Sequence, residues 1–215
     1  MAEPFNFLAE KRYAVVTGAN KGIGLEICKQ LASQGVVVLL TSRDGKKGLE
    51  ALNDLIKSGI SADNLLFHQL DVTDAMSIAT LTGFINSKFG KLDILVNNAG
   101  TSGFKADFDA LKAAGFGTVS ILCDSSFKEK GWPSFMTAYI LSKAALNAYT
   151  QLLAKKYPSI IINCVFPGYV STDINGNTGY LTVEEGGASP VRLALLPHGS
   201  PSGLFFLRNE VSSYE

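Results

Sequence analysis

The sequence predicts a doubly wound α/β fold on a parallel sheet, and three observations carry that expectation. Short apolar runs alternate with segments whose apolar residues recur every three or four positions, as strands alternate with helices. The run Val36–Thr41 is apolar without a break, which suits a strand covered on both faces of a parallel sheet. The links between these segments are short, and short links between parallel strands give right-handed crossovers.

Taken in order, Tyr13–Thr17 reads as a buried strand ending at Gly18. Gly22–Gln34 places Ile23, Ile27 and Leu31 on one face of a helix, closed by Gly35. Val36–Thr41 is the second strand. Lys46–Ser58 carries Leu49, Leu52, Leu55 and Ile56 at helical spacing and stops at Gly59. Leu65–Leu70 is a third strand. Asp74 can cap a helix to about Phe89, with Ile78, Leu81 and Ile85 inward. Leu92–Val96 is a fourth strand. In the second half, Thr137–Lys156 reads as a long helix ended by Pro158, Ile160–Phe166 as a strand and Leu204–Leu207 as a last one. Thr182 and Glu185 have capping-box spacing for a helix that runs through Pro190 to about Leu196. Between Thr101 and Pro133 the signals are weak: a short helix over Lys105–Ala114 and a strand over Thr118–Cys123. There is no repeat and no linker, so residues 1–215 are expected to form one domain.

Composition narrows the function classes. Lys and Arg total 19, as do Asp and Glu, and this zero balance argues against a nucleic-acid binder. No stretch has the length of a transmembrane helix, and the first residues lack a signal-peptide core. Cys28, Cys123 and Cys164 are scattered and form no metal-ligand cluster with His68 and His198. The reading is a cytoplasmic protein with reduced thiols and no metal.

Gly18-Ala-Asn20-Lys21-Gly22-Ile23-Gly24 lies between the first strand and the first helix. Glycines allow a tight turn and close approach of a pyrophosphate, while the helix N-terminus offers free N–H groups and a positive dipole end. The strand before and the amphipathic helix after supply the context that a glycine turn alone lacks. The first hundred residues therefore read as a nicotinamide-dinucleotide site. Asp44 is a candidate for the ribose 2′-hydroxyl, which would favour NAD. Arg43 sits nearer the end of the second strand, and Lys21 lies within the glycine turn. Two cations at one position suit a 2′-phosphate, so NADP(H) is the expected cofactor; the alternative is that both are solvated surface charges.

Five phrases, in this order, resemble the short-chain dehydrogenase/reductase family. They are Thr17-Gly18-x-x-x-Gly22-x-Gly24, Asp71-Val72, Asn97-Asn98-Ala99-Gly100, Tyr139-x-x-x-Lys143 and Pro167-Gly168. The stretches 142–149, 162–170 and 202–206 are similar to its plant carbonyl-reductase branch, that of menthone, neomenthol and salutaridine reductases. The resemblance covers residues 10–100 and 131–215 well and the middle poorly. It implies that Asp71 and Val72 contact the adenine. It places Asn98, Ala99 and Gly100 on the adenosine and ribose side, and Pro167, Gly168, Val170 and Thr172 at the nicotinamide. It also implies a small-molecule carbonyl or alcohol substrate and a monomer.

Carbonyl reduction needs a hydride and a proton for the developing alkoxide. A free tyrosine has a pKa of about 10, and a nearby ammonium favours the phenolate. Tyr139 and Lys143, four residues apart, share one helix face. Lys143 also has the position of the family residue that holds the nicotinamide ribose.

The middle departs from the family pattern. The family places a serine on a central strand and an asparagine on the helix before it. No asparagine occurs between Asn98 and Asn147. In one reading, Gly117–Ser126 is the central strand, with Ser125 or Ser126 as the catalytic serine. In the other, favoured by Phe127–Pro133, the strand, its serine and its crossover helix are missing altogether. The functional expectation is an NADP(H)-dependent reductase of a small apolar ketone or aldehyde. The alternative is a truncated, catalytically impaired relic that keeps cofactor or partner binding. A sugar-nucleotide epimerase, which shares Tyr-x-x-x-Lys, is disfavoured because only 47 residues follow Gly168.

Overall fold

A computed structural model of the chain describes residues 11–101 and 137–214. Strands β1 (Tyr13–Val16), β2 (Val37–Ser42), β3 (Leu65–Gln69) and β4 (Ile94–Val96) form a parallel sheet in the order β3-β2-β1-β4. Helices α1 (Gly22–Ser33), α2 (Gly45–Lys57) and α3 (Ala75–Phe89) make the crossovers. The expected Rossmann-like α/β architecture is what forms. β2 is buried at all six positions, as its unbroken apolar run requires.

Alternate residues of the strands feed two cores, because side chains point to opposite faces of a sheet. Ala14, Val16, Val38 and Leu40 meet Ile27, Leu31, Ala51 and Leu55 of α1 and α2. Val15 and Leu39 meet Leu81 and Ile85 of α3. Phe89 of α3 stacks on Tyr13 at 4.5 Å between centroids, and Phe84 leans on His68 at 5.0 Å. The capping reading holds for Asp74, whose carboxylate accepts from Met76 N at 3.0 Å.

One inward assignment needs correction, and one apolar residue at helical spacing is exposed. Ile78 is 45% exposed although it shares a face with Leu81, because α3 contacts the sheet from Leu81 onward. Leu49 is also exposed: α2 presses most closely at Gly48, where a Cβ would lie 2.0 Å from the Phe67 ring, and Leu49 turns away from that contact.

In the second half, α4 (Thr137–Lys156) leads to β5 (Cys164–Phe166), α5 (Val183–Ala194), β6 (Phe205–Leu207) and β7 (Glu210–Ser212). β5 and β6 pair in parallel, and β6 and β7 form a hairpin absent from the sequence reading. Its two-residue turn places Arg208 at φ 56°, where no glycine gives a signal. The expected strand from Ile160 shortens to Cys164–Phe166. Residues 160–163 bond in part through side chains: Ser202 Oγ accepts from Ile162 N at 2.9 Å and Asn163 Oδ1 accepts from Leu204 N at 2.9 Å, while Ile162 O accepts from Gly203 N at 2.7 Å. The Thr182–Glu185 capping box is present in both directions, at 3.2 and 2.9 Å. α5 continues past Pro190 and ends at Ala194.

The sheet thus comes in two pieces, β3-β2-β1-β4 and β5-β6-β7, with no strand between β4 and β5 among the described residues. The expected helix Lys105–Ala114, strand Thr118–Cys123 and Ser126 all lie outside the described residues. What joins the pieces is α5 packed on α1. Gly187 lies so close to Glu26 that a Cβ would stand 3.0 Å from its Cγ, and Gln30 Nε2 donates to Glu184 O at 3.0 Å.

Leu39, 1% exposed, is expected to cost about 2–5 kcal/mol on truncation to Ala. Ile78→Ala should change stability by less than about 0.5 kcal/mol. Urea unfolding of both variants checks the two faces of α3's contact. Cys28 is fully buried, and burial pushes its thiol pKa up. Iodoacetamide should therefore leave Cys28 unmodified in the folded protein and label it only in denaturant, read by mass spectrometry.

Candidate functional site

The glycine turn is fixed by its neighbours on both sides. Ala19 N donates to Thr41 O of β2 at 2.8 Å, and Thr17 N donates to Val96 O of β4 at 3.0 Å. Gly18 and Gly22 have φ of 62° and 58°, conformations that a side chain disfavours. A Cβ at Gly18 would stand 2.8 Å from Ala99 Cα, and one at Gly24 only 2.3 Å from Asn98 Nδ2. These bare positions let Asn98 Nδ2 donate to Thr17 O at 2.9 Å and to Gly18 O at 3.2 Å. Ala99 N closes the arrangement by donating to Thr17 Oγ1 at 2.9 Å. The turn, the N-terminus of α1 and the carboxyl end of β4 therefore form one rigid corner. A cleft at the carboxyl ends of parallel strands is where open α/β sheets bind ligands.

Asn20, Lys21, Gly22, Ile23, Gly24, Arg43, Asp71, Val72, Asn98 and Gly100 all line the same cleft. The Asp71 carboxyl sits below the usual carboxylate range, chiefly because the Thr73 hydroxyl donates to it at 2.7 Å, then through Thr73 N, with a smaller contribution from the Arg43 guanidinium. Val72 is exposed beside it. Asp44, the acidic ribose candidate, is engaged as the cap of α2, accepting from Lys47 N at 3.1 Å.

Lys21, the cation within the turn, has a carboxylate partner. Its Nζ donates to Asp173 Oδ2 at 2.7 Å, and this partner holds the Asp173 carboxyl below its ordinary range. Thr172, the expected nicotinamide contact, lies against the glycine turn: a Cβ on Gly22 would stand 3.5 Å from its methyl. Gly168 has φ 97°. Val170 is buried, its side chain packed against Gly186 of α5, and it is not among the residues that line the cleft. Ser171 N donates to Leu181 O at 2.8 Å and fixes this segment. Pro167 lines the cleft.

Tyr139 and Lys143 occupy the first turns of α4. Lys143 Nζ lies 5.4 Å from the Tyr139 ring centroid, and a Cβ on Gly100 would stand 3.7 Å from the same ammonium. The helix thus brings both side chains to the end of β4. α4 holds on at its other end, where Ala154 meets the Gly203 turn. Ile140, Leu141, Leu146, Tyr149 and Leu152 are exposed between these contacts. The cleft measures about 2550 Å³, against roughly 300–1,000 Å³ for small-molecule pockets. Among the described residues this cleft runs on past Ile94, Leu95, Leu146, Ile162 and Phe166.

Two participants escaped the sequence reading. Thr17 orients Ala99 through its hydroxyl, and its place at the head of the glycine motif was a usable signal. Asp173 had none, because its partner lies 152 residues away. Among the described residues no cluster of His, Cys, Asp and Glu could hold a metal ion. No helix of the described residues is long and apolar enough to cross a membrane.

Comparison with known proteins gives a consistent result. The short chain dehydrogenase family matches residues 12–121. Short-chain dehydrogenase/reductase 1 of Saponaria officinalis is 49% identical over an alignment of 302 residues that spans all of both chains. That alignment is longer than this chain of 215, so the relative contains residues that have no counterpart here. (+)-Neomenthol dehydrogenase of Arabidopsis thaliana is 41% identical, covering 94% of this chain and 98% of its own. The solved structure of salutaridine reductase from Papaver somniferum matches with a TM-score of 0.82 at 35% identity, over 92% of this chain and 99% of that one. At a greater distance, carbonyl reductase (NADPH) 3 of Mus musculus is 32% identical over 86% of this chain and 91% of its own.

Gly24→Ala should push Asn98 off the carbonyls of Thr17 and Gly18. Overpacking of this kind costs about 1–3 kcal/mol. Thermal melting of the variant, beside a Gly83→Ala control in open space, measures it.

Proposed function

This chain belongs to the short-chain dehydrogenase/reductase family, and from that premise we propose that it is an NADP(H)-dependent reductase of a small apolar ketone or aldehyde. The observation that carries the proposal is the glycine corner, whose three bare positions leave backbone N–H groups at the N-terminus of α1 open to a pyrophosphate. Gly18, Asn20, Gly22, Ile23 and Gly24 would hold the pyrophosphate, Asp71 and Val72 the adenine, and Asn98, Ala99 and Gly100 the ribose side. Pro167, Gly168, Val170 and Thr172 would flank the nicotinamide. The engagement of Asp44 in capping α2 supports a 2′-phosphate on Arg43 and Lys21 over a 2′-hydroxyl on an acid. The name of the mouse relative, which specifies NADPH, points the same way.

A bound nicotinamide supplies or accepts the hydride. The protein's part is the proton. Tyr139 Oη gives one to the carbonyl oxygen in reduction and takes it back in alcohol oxidation. Lys143, beside Tyr139 and against Gly100, places a positive charge where the developing oxyanion and the ribose meet. Ser126 is the proposed orienting hydroxyl. The chain is read as one domain acting as a monomer in the cytoplasm. The names of two relatives specify small molecules, neomenthol for one and salutaridine for the other, which supports a small-molecule substrate here.

A second reading has its own observation: the relatives are longer than this chain, and α4 exposes a row of apolar side chains. In that reading the chain binds the cofactor without turnover. Two measurements separate them. NADPH should raise the melting temperature in both cases, because a ligand of the folded state stabilises it; no shift at saturating NADPH defeats both. Ketone-dependent oxidation of NADPH occurs only in the first. Tyr139→Phe should then abolish turnover while leaving the NADPH Kd nearly unchanged, whereas equal loss of both would indicate misfolding.

A further inference from the structure

The segment after β5 lies over the glycine turn and carries its own anion. Thr172 lies against Gly22, and the next residue, Asp173, receives the Lys21 ammonium at 2.7 Å. The segment is shaped by internal bonds. Asn175 Nδ2 donates to Val170 O at 2.9 Å, Thr172 N donates to Asn175 Oδ1 at 3.2 Å, and Asn177 N donates to Thr172 O at 2.9 Å. The Asp173 carboxylate is therefore held over the turn by a small, self-bonded strap.

Both partners are well exposed, with 66% and 63% of their side-chain surface open. An exposed ion pair is a weak and exchangeable contact. A phosphate dianion attracts an ammonium more strongly than a single carboxylate does, and it repels a carboxylate beside it. Resting on the NADP(H) reading above, we propose that Asp173 is an internal competitor that holds Lys21 in the cofactor-free protein and gives it up to the cofactor 2′-phosphate. Asp173 thereby limits the preference for NADP(H) over NAD(H). NADH has a hydroxyl in that place and leaves the pair intact, so its affinity is independent of Asp173.

The competition predicts a cofactor-specific change. Asp173→Asn should tighten NADPH binding by about two- to five-fold, the range spanned by exposed ion pairs. It should leave the NADH Kd unchanged, both read by fluorescence titration. In a Lys21→Met background the gain for NADPH should shrink, since only the direct repulsion between carboxylate and phosphate is left to relieve; an undiminished gain overturns the competition. An NADPH Kd that is unchanged or weaker in Asp173→Asn overturns the proposal. So does an equal shift for both cofactors, which would assign Asp173 to loop shape. The wild-type protein separates this from the underlying reading. If it binds NADPH and NADH alike, the NADP(H) assignment fails. If it prefers NADPH and Asp173→Asn changes nothing, the competition alone fails.

Discussion

The register between β1 and β4 governs the cofactor corner. Val16 pairs with Val96, and the chain beyond each strand end then meets the other within two residues. Asn98 reaches two carbonyls of the glycine turn, and Ala99 reaches Thr17, only at that register. A slip of one residue moves a strand by about 3.3 Å and turns its side chains to the opposite face. It would take Asn98 off both carbonyls and bury Leu95 in place of Ile94. The glycine at position 24 has the same origin: it is the space that Asn98 fills. Strand pairing and ligand cradle are one constraint.

The two-piece sheet has a different logic. Among the described residues β4 pairs with β1 alone and β5 with β6 alone, and Leu95 and Phe166 are exposed. Unpaired strand edges are templates for further pairing and are commonly covered or blunted. Here the pieces are linked through helices, as Val191 of α5 shares a core with Ile27 of α1 and Ile94 of β4. The link runs on the face opposite α3, which leaves Met76 and Ile78 of α3 and the middle of α4 uncovered. The Saponaria relative contains residues that have no counterpart here, and the sequence departs from the family pattern between Gly100 and Trp132.

Much of the fold was legible because local chemistry decides it. The unbroken run of β2, the caps at Asp74 and Thr182 and the glycine stops after α1 and α2 each report on a few neighbouring residues. What was missed depends on distant partners. Residues 160–163 looked like strand by composition, yet the Ser202 and Asn163 side chains take part of the bonding that a strand would give to backbone. Ile78 has the right spacing and no sheet beneath it. The Arg208 turn uses a left-handed arginine where the usual signal is glycine or asparagine. Of the site, the glycine turn was legible from the strand before it and the helix after it, whereas Asn98, Ala99 and Gly100 were legible only through the family resemblance. Lys21 was read as a free cation because its carboxylate partner is remote in the chain.

The α1–α5 contact also sets an order of events during synthesis. The four strands of the first sheet and their crossovers lie within residues 13–96, so they can pair while the rest of the chain is still being made. Thr172, Asp173 and α5 arrive much later and dock onto a finished surface of α1. In a nascent chain Lys21 therefore lacks its Asp173 partner until roughly the last fifth has emerged, so the strap is the last part of this corner to arrive.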